Sequence, residues 1–378
     1  MNESLVLDYI QLINSDGVGP VSFFKFLEKY GSASAALDAL SSKKCIFSRS
    51  DAENELKSAQ KLGVEIIIDQ DEKYPALLKQ LDDRPPVLYV KGRTDLLNYP
   101  ASLCVVGSRN ASVIGRKIAS RIAYDLTNAD VLIVSGMARG IDSASHKGAM
   151  YAKNQKGPTI AVLGTGVDIC YPDENKDLYN QIADQGAIIS EFKLGQTAVA
   201  SNFPRRNRIV AGLSLGVLVV EASLNSGSLI TARLGLEQGK DIFAVPGSPI
   251  ESSSAGANKL IKEGAVLTQS AEDMLSTLAL TQNRILKINQ NVNLNAKPLD
   301  NLEKKEMMQT TKTQNAENSD ILQTIGVSGI EQDDMIRHLN MTTQSALIKV
   351  TELELEGLVL RQNGSFLKLT KEGLKKIK

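Results

Sequence analysis

Histidine is scarce. Only His146 and His338 occur in 378 residues, so a multi-histidine metal site cannot be built and imidazole chemistry has little to work with. The three cysteines, Cys45, Cys104 and Cys170, lie far apart with no CxxC pair, which excludes a disulfide framework and a zinc ribbon and suits a reducing compartment. No stretch approaches the ~18 apolar residues of a membrane span, and the opening MNESLVLDYI carries Glu3 and Asp8 where a secretory signal needs positive charge. A cytoplasmic, soluble protein without metal or cofactor is expected. GxxxxGK[ST] is absent, so Walker-type nucleotide hydrolysis is not expected either. Charge of one sign is also lacking: Lys+Arg 43 balance Asp+Glu 43, so any nucleic-acid contact must use a local patch.

The composition that remains, 42% hydrophobic and 23% charged, suits a chain that buries a core and excludes wholesale disorder. At roughly 100–200 residues per domain its length implies two or three domains. Residues 1–90 read as helical: the pattern Leu5, Leu7, Ile10, Leu12 reaches GVGP at Gly17–Pro20, and VSFFKFLEKYG follows, with Pro20 suited to a first helical turn and Gly31 to a C-terminal cap. This order resembles a helix-hairpin-helix (SAM-like) unit, whose glycines admit a DNA phosphate to the backbone; a plain helical hairpin fits equally.

From 91 to 280, the runs LCVVGS, VLIVSG, TIAVLG, AIISEF, VLVVEA, DIFAVPG and AVLT alternate with helical segments. Continuous apolar strands with helical crossovers imply an α/β fold, a doubly wound Rossmann-like parallel sheet covered on both faces. Ligands of such sheets bind beyond the carboxyl ends of the strands, which here carry Gly107, Gly136, Gly164, Glu221 and Gly247. Residues 281–319, rich in Asn, Gln, Lys and Thr, read as a flexible linker. Residues 320–378 give three helical patterns and a hairpin turning on Asn363-Gly364, the order of a winged helix-turn-helix, with Thr342 as N-cap of a third helix reaching about Glu356. Its outward face would carry Ser345, Lys349, Glu352 and Glu356, and two carboxylates favour protein contact over DNA reading; Lys368, Lys371, Lys375, Lys376 and Lys378 argue the other way.

Three strand-to-helix turns offer backbone N–H groups to an anion. GSRNASVIG, Gly107–Gly115, adds Ser108 and the forked cation Arg109. SGMARGID, from Ser135, has Gly136 and Gly140 for close approach and Arg139 between them. SGSLITAR opens another helix with Ser226, Gly227 and Ser228. Asp142, Ser143 and His146 invite a triad reading, but Asp142 and His146 stand one turn apart, as in a local surface pair, and structural roles are expected. Similarly GLSLG, Gly212–Gly216, copies a nucleophile elbow in the wrong context, a helix before the serine and a strand after it, so Ser214 is read as a turn residue.

FPRRNRIVAGL is the most informative segment. With Pro204 as first helical residue, Arg205, Arg206 and Arg208 fall at the positive end of the helix dipole, a cost of ~0.3–1 kcal/mol each that a phosphate would relieve. Spacing sets Arg205 and Arg208 on one face; Arg206, beside Ile209 and Leu213, has Glu221 or Glu191 as a candidate partner. Phe203 either staples the core or stacks a base. Several cradles on adjacent strand ends suit one nucleotide or a track of backbone phosphates.

The order GSR, SGMARGID, TIAVLGTGVDICYP, FPRRNRIVAGL, EASLNSGSLITAR and AVPGS resembles the DNA-processing protein A family, DprA/Smf, across the whole sheet domain, and both ends are similar to those of its longer members. The resemblance implies a dimeric, non-enzymatic binder of single-stranded DNA that protects incoming DNA and loads RecA in natural transformation. It implies a DNA site at Ser108, Arg109, Ser135, Gly136, Arg139, Arg205, Arg206, Asn207, Arg208, Ser226, Gly227 and Ser228. Two alternatives stay open. Lysine-decarboxylase-like phosphoribohydrolases share the fold and carry PGGxGTxxE; here Arg233 stands near where their glutamate would act, leaving Glu221 as the candidate replacement, a residue more often an arginine partner than a catalyst. A winged-helix transcription regulator is the other.

Overall fold

A computed structural model describes residues 2–41, 45–153, 158–278, 320–326, 329–339, 341, 346, 349–350, 353–354, 358–362, 366–370 and 374. The chain divides into two compact units, Met1–Leu286 and Lys287–Lys378.

The first unit begins with four helices, α1 (Glu3–Asn14), α2 (Pro20–Tyr30), α3 (Ala33–Leu40) and α4 (Arg49–Lys61). Asn2 caps α1 by accepting from the Ser4 N–H at 3.1 Å, and Val6, Tyr9 and Ile10 form its buried stripe. Pro20 opens α2 and Gly31, at φ 84°, closes it in the left-handed region, as the sequence implies. The hairpin between α1 and α2 uses its own donors: the N–H of Asp16 reaches the Cys45 carbonyl, that of Val18 the Ser15 carbonyl, and that of Gly19 the Ser22 Oγ. Those donors are engaged within the protein.

The helical reading of residues 1–90 fails after Lys61. There the chain forms β1 (Val64–Ile68), α5 (Ala76–Lys79) and β2 (Val87–Gly92), and both strands join the main sheet. VEIII and VLYV are β-branched, nearly continuous apolar runs bounded by Gly63 and by Pro85-Pro86, which is the pattern of buried strands.

The remaining elements alternate: β3 (Ser102–Val106), α6 (Val113–Asn128), β4 (Leu132–Ser135), α7 (Ile141–Met150), β5 (Thr159–Val162), α8 (Lys176–Gln185), β6 (Ala187–Ser190), α9 (Asn202–Gly212), β7 (Gly216–Val219), α10 (Gly227–Glu237), β8 (Asp241–Ala244), α11 (Ala255–Lys262) and β9 (Val266–Leu267). The nine-stranded order is β1-β2-β6-β5-β4-β3-β7-β8-β9, antiparallel from β1 to β6 and parallel beyond. Alternate residues of one strand serve opposite cores: Cys104 and Val106 pack with Ile209, Val210 and Ala232, whereas Leu103 and Val105 pack with Ile122, Ala123 and Ile141. Burial on both faces is why these strands read as uninterrupted apolar runs.

The second unit contains helical residues 320–325, β10 (Ile330–Glu331), α12 (Gln332–Leu339), β11 (Val359–Gln362) and β12 (Phe366–Leu369), in a sheet ordered β10-β12-β11. Ile321, Met335, Val350, Leu353 and Leu367 form its core. Ala346, Lys349, Val350, Leu353 and Glu354 are also helical, and a helix–strand–helix–helix–hairpin order is that of a winged helix. The linker 281–319, the Asn363-Gly364 turn, Thr342, Ser345, Glu352, Glu356, Lys371, Lys375, Lys376 and Lys378 lie outside the described residues; Lys349 is half-buried and Lys368 exposed. Among the described residues, no helix is long and apolar enough to cross a membrane.

Candidate nucleic-acid interface

Strand order reverses between β3 and β7: from β3 the chain builds β4, β5 and β6 to one side, then returns through α9 to lay β7 on the other. At such a switch point the loops leaving the two central strands diverge and open a crevice. Here they enclose a cleft of about 430 Å³, walled by Ser108 and Arg109 after β3, Asp142 of α7, Arg206 and Asn207 of α9, and Ser226–Ser228 at the start of α10.

The three turns singled out in the sequence do not remain equally free. Glu221, at the end of β7, accepts from the Ser112 N–H at 3.2 Å and from its Oγ at 2.8 Å, while Ser112 Oγ caps the Gly115 N–H at 2.9 Å. A carboxylate therefore already occupies the N-terminus of α6, the position the helix dipole favours for negative charge. Glu221 is a helix-capping group here, and its partner is Ser112 instead of an arginine.

The second turn holds Asp142. Its carboxylate is buried and accepts from the Ala138 N–H at 3.4 Å. Burial raises its pKa from 3.8 to about 6, against the lowering pull of Arg206 and the Gly136 and Ala138 amides. The expected surface pair with His146 is absent because both residues are interior. His146 Nδ1 lies 2.7 Å from Thr159 Oγ1, and Thr159 Oγ1 donates to the Ile133 carbonyl, so Nδ1 carries the proton; burial pushes the ring's pKa down to about 3. Ser143 donates to the Gly140 carbonyl, so the three residues form no triad. Ser214 donates to the Val210 carbonyl at 3.1 Å in the turn after α9.

The third turn is the most open. Ser226 caps α10 and its Oγ lies 2.7 Å from Ser228 Oγ, while Gly227 is exposed at the rim.

On α9 the arginines are arranged opposite to expectation. The helix starts at Asn202, so Phe203 lies inside its first turn and Pro204 is its third residue. Arg206 is the cleft residue: it is buried, its Nη1 donates to the Gly136 carbonyl at 2.6 Å and to that of Val162, and its Nε donates to Asn207 Oδ1 at 3.2 Å. Burial lowers its pKa to about 10, which leaves it charged at neutral pH. Gly136 is required beneath it, since a Cβ there would stand 2.6 Å from Arg206 Cζ. Arg205 and Arg208 do share a face, but that face meets Glu191, which follows β6. Glu191 accepts from Arg205 Nη2 at 3.0 Å and from Arg208 Nη2, and Asp83 lies 3.5 Å from Arg208 Nε. An internal carboxylate thus supplies the anion that the dipole argument demanded of a ligand.

Of the other predicted residues, Ser108 donates its N–H to the Glu221 carbonyl at 2.6 Å, and its Oγ accepts from the Asn110 N–H. Arg109 is exposed, with its guanidinium 5.3 Å from the Phe203 ring centroid. Arg139 is exposed and 3.5 Å from Glu174. Ser135 is fully buried and donates to the Val105 carbonyl at 2.6 Å, tying β4 to β3. Arg233 points outward and pairs with Glu237 at 3.5 Å. The cleft thus gathers Ser108, Arg109, Arg206, Asn207, Ser226, Gly227 and Ser228; Gly136 and Arg139 line an adjoining hollow. Sequence reasoning missed Asp142 as a wall of the cleft, because its position reads equally well as an ordinary helix cap.

A family model described as DNA recombination-mediator protein A matches residues 65–279. The chain belongs to this family. Models described as a DprA-like N-terminal HHH domain and a DprA winged helix domain match residues 3–58 and 305–365. The DNA processing protein DprA of Streptococcus pneumoniae is 45% identical over 206 residues, 54% of this chain and 71% of that protein. Protein Smf of Escherichia coli is 42% identical over 233 residues, 61% of each chain. The X-ray structure of the S. pneumoniae protein superposes with a TM-score of 0.63 at 34% identity, covering 71% of this chain and 97% of that one. A structure of DprA from Helicobacter pylori, described as giving insight into its single-stranded DNA binding mode, superposes with a TM-score of 0.52 at 29% identity, covering 58% and 96%.

Proposed function

We propose that this protein is a single-stranded DNA-binding recombination mediator that protects incoming DNA and loads RecA during natural transformation, acting in the cytoplasm as a dimer formed through the sheet domain. The observation that carries the reading is the switch-point cleft, which Arg109 and Arg206 line together with the start of α10 at Ser226–Ser228, where Gly227 is exposed. Cations opposite a helix N-terminus suit a phosphodiester oxygen, and such contacts carry little base information. The relative from H. pylori, described by its single-stranded DNA binding, supports the same reading.

The same geometry supports a non-enzymatic reading. Release of a base from a nucleotide calls for a positioned acid or base, and Glu221 is engaged in capping α6 through Ser112. The test is titration of labelled single strands across a salt series. Arg109→Ala should weaken binding alike for all sequences and flatten the slope of log K against log[salt] by about 0.7. An unchanged affinity and slope would remove the cleft from the DNA path, and base release from nucleoside monophosphates that disappears in Glu221→Ala would establish the hydrolase instead. Capture of RecA by the immobilised full chain tests the loading role.

A further inference from the structure

The chain has formal net charge +0, yet one of its faces is strongly basic. Both α6 and α7 begin at the cleft: the loop that supplies Ser108 and Arg109 runs on into α6, and Asp142 lies in the first turn of α7. From there the two helices lead away side by side in the same direction. At the cleft end the Ile141 N–H donates to the Ser108 carbonyl at 3.2 Å; midway a Cβ on Gly148 would stand 2.1 Å from the Ser120 carbonyl oxygen; at the far end the Lys153 N–H donates to Asn128 Oδ1 at 2.9 Å. So close an approach makes the pair one surface, about 24 Å long for the 16 residues of α6. Segments 113–128 and 141–153 carry five exposed cations, Arg116, Lys117, Arg121, Lys147 and Lys153. Their two carboxylates do not balance this charge, since Asp142 is buried in the cleft wall and Asp125 is tied to Arg121 at 2.7 Å. Among the described residues, Lys117, Lys147 and Lys153 form no ion pair.

The contacts between the helices order these groups along the surface. Lys117 stands one turn nearer the cleft than Ser120, Lys147 adjoins Gly148 at the level of Ser120, Tyr151 follows a turn later, and Lys153 stands level with Asn128. Successive groups are thus about one helical turn, ~5.4 Å, apart, a repeat close to that of the phosphates of an extended strand. Tyr151 is 78% exposed, and a spacing of four residues puts its ring on the same side as Lys147. Cations interleaved with a bare aromatic ring are the make-up of a single-strand platform: the lysines meet phosphates and the ring stacks a base whatever its identity. An acidic protein would meet the same charges, but nothing in its chemistry calls for a line that starts at the cleft. We propose that the α6–α7 face is a second stretch of the single-strand path, on which Lys117, Lys147 and Lys153 hold phosphates of the strand after it leaves the cleft and Tyr151 stacks one of its bases. The inference rests on the nucleic-acid reading above and extends it from one cleft to a track outside it.

The test uses the full chain and two labelled oligo-dT strands, one of about 5 nucleotides that the cleft alone can hold and one of about 20 that must leave it, titrated by fluorescence anisotropy across a salt series. Replacing Lys117, Lys147 and Lys153 together by alanine should flatten the slope of log K against log[salt] for the long strand by about 2, so that the advantage of the wild type grows about fifteenfold between 0.2 and 0.05 M salt. The short strand should bind as before, and the triple Lys→Arg variant should restore the slope. Tyr151→Ala should weaken the long strand at least about fivefold without altering the slope, and Tyr151→Phe should recover it. An unchanged slope for the long strand in the triple alanine variant would overturn the proposal. So would an equal loss on both strands, or a loss that arginine does not restore, since either would make these lysines supports of the fold. Unchanged affinity in Tyr151→Ala would overturn the stacking role of the ring. The nucleic-acid reading fails by a different pattern, in which the wild type holds neither strand or Arg109→Ala weakens neither.

Discussion

Replacing Asp142 by asparagine tests the electrostatics of the cleft directly. The carboxylate is buried in the first turn of α7, where the helix dipole favours negative charge, yet desolvation outweighs the dipole and Arg206 and raises the pKa from 3.8 to about 6. The sign follows from proton uptake. Between 3.8 and about 6 the unfolded chain has released this proton and the folded chain has kept it. The stabilising contribution is therefore complete below 3.8 and lost as pH rises through about 6. Above that, the folded protein carries an ionised carboxylate at a cost of about 3 kcal/mol relative to water. Asparagine keeps the shape and one acceptor for the Ala138 N–H and removes the charge. Asp142→Asn should accordingly raise stability by about 1–3 kcal/mol at pH 7.5 and by nothing measurable at pH 4, read from urea midpoints of the first unit followed by far-UV circular dichroism at unchanged m-value. Single-strand affinity should rise at pH 7.5, because one negative charge has left the cleft, and the tightening of the wild type between pH 7.5 and 5.5 should vanish. Lower stability at pH 7.5, or the same gain at both pH values, would refute the argument and make Asp142 a net favourable partner of Arg206.

Glu191→Gln should cost about 3 kcal/mol in urea unfolding, since it leaves Arg208, whose side chain is 7% exposed, with only Asp83 at 3.5 Å for compensation among the described residues. Arg205→Ala, removing the 42% exposed member of the same cluster, should cost less than about 1 kcal/mol in the same assay; equal costs would mean that burial does not govern the cluster. His146 is buried neutral with its pKa lowered from 6.5 to about 3, so the unfolded chain takes up that proton first and stability falls as pH drops through this window. His146→Gln should flatten the fall in urea midpoint between pH 6.5 and 4; a parallel fall in both proteins would assign acid sensitivity elsewhere.

How far the fold was legible depended on burial. The strands after Ala101 declared themselves because both faces are covered, so VLIVS and GVLVV carry no polar alternation to confuse with a helix. VEIII and VLYV carried the same signal, but they sit amid helical periodicity and pair antiparallel at the sheet's end, where no crossover helix announces them. In the site, helical spacing correctly put Arg205 and Arg208 on one face. Spacing cannot say what that face meets. Glu191 lies 14 residues before Arg205, and only the return of α9 from β6 to β7 brings the two together. The turn chemistry was likewise readable as a supply of N–H donors, whereas the engagement of the turn before α6 by Glu221 depends on a tertiary contact 109 residues away in sequence.

Those two carboxylates explain how a site built for anions stays folded without one. A buried N–H left without an acceptor costs about 1–3 kcal/mol, and loops that present several such donors would be strained open in the absence of ligand. Glu221 satisfies the turn before α6 and Asp142 the turn before α7, which fixes both loops, while Asp142 subtracts a charge from a cleft that Arg109 and Arg206 make positive. With formal net charge +0 over the whole chain, no distant field makes up the difference. Loop order and anion attraction are therefore set against each other within the cleft. The carboxylate of Asp142 is the adjustable member of the pair, because its pKa of about 6 lies close enough to neutrality for protonation to relieve the charge while the loop keeps its acceptor.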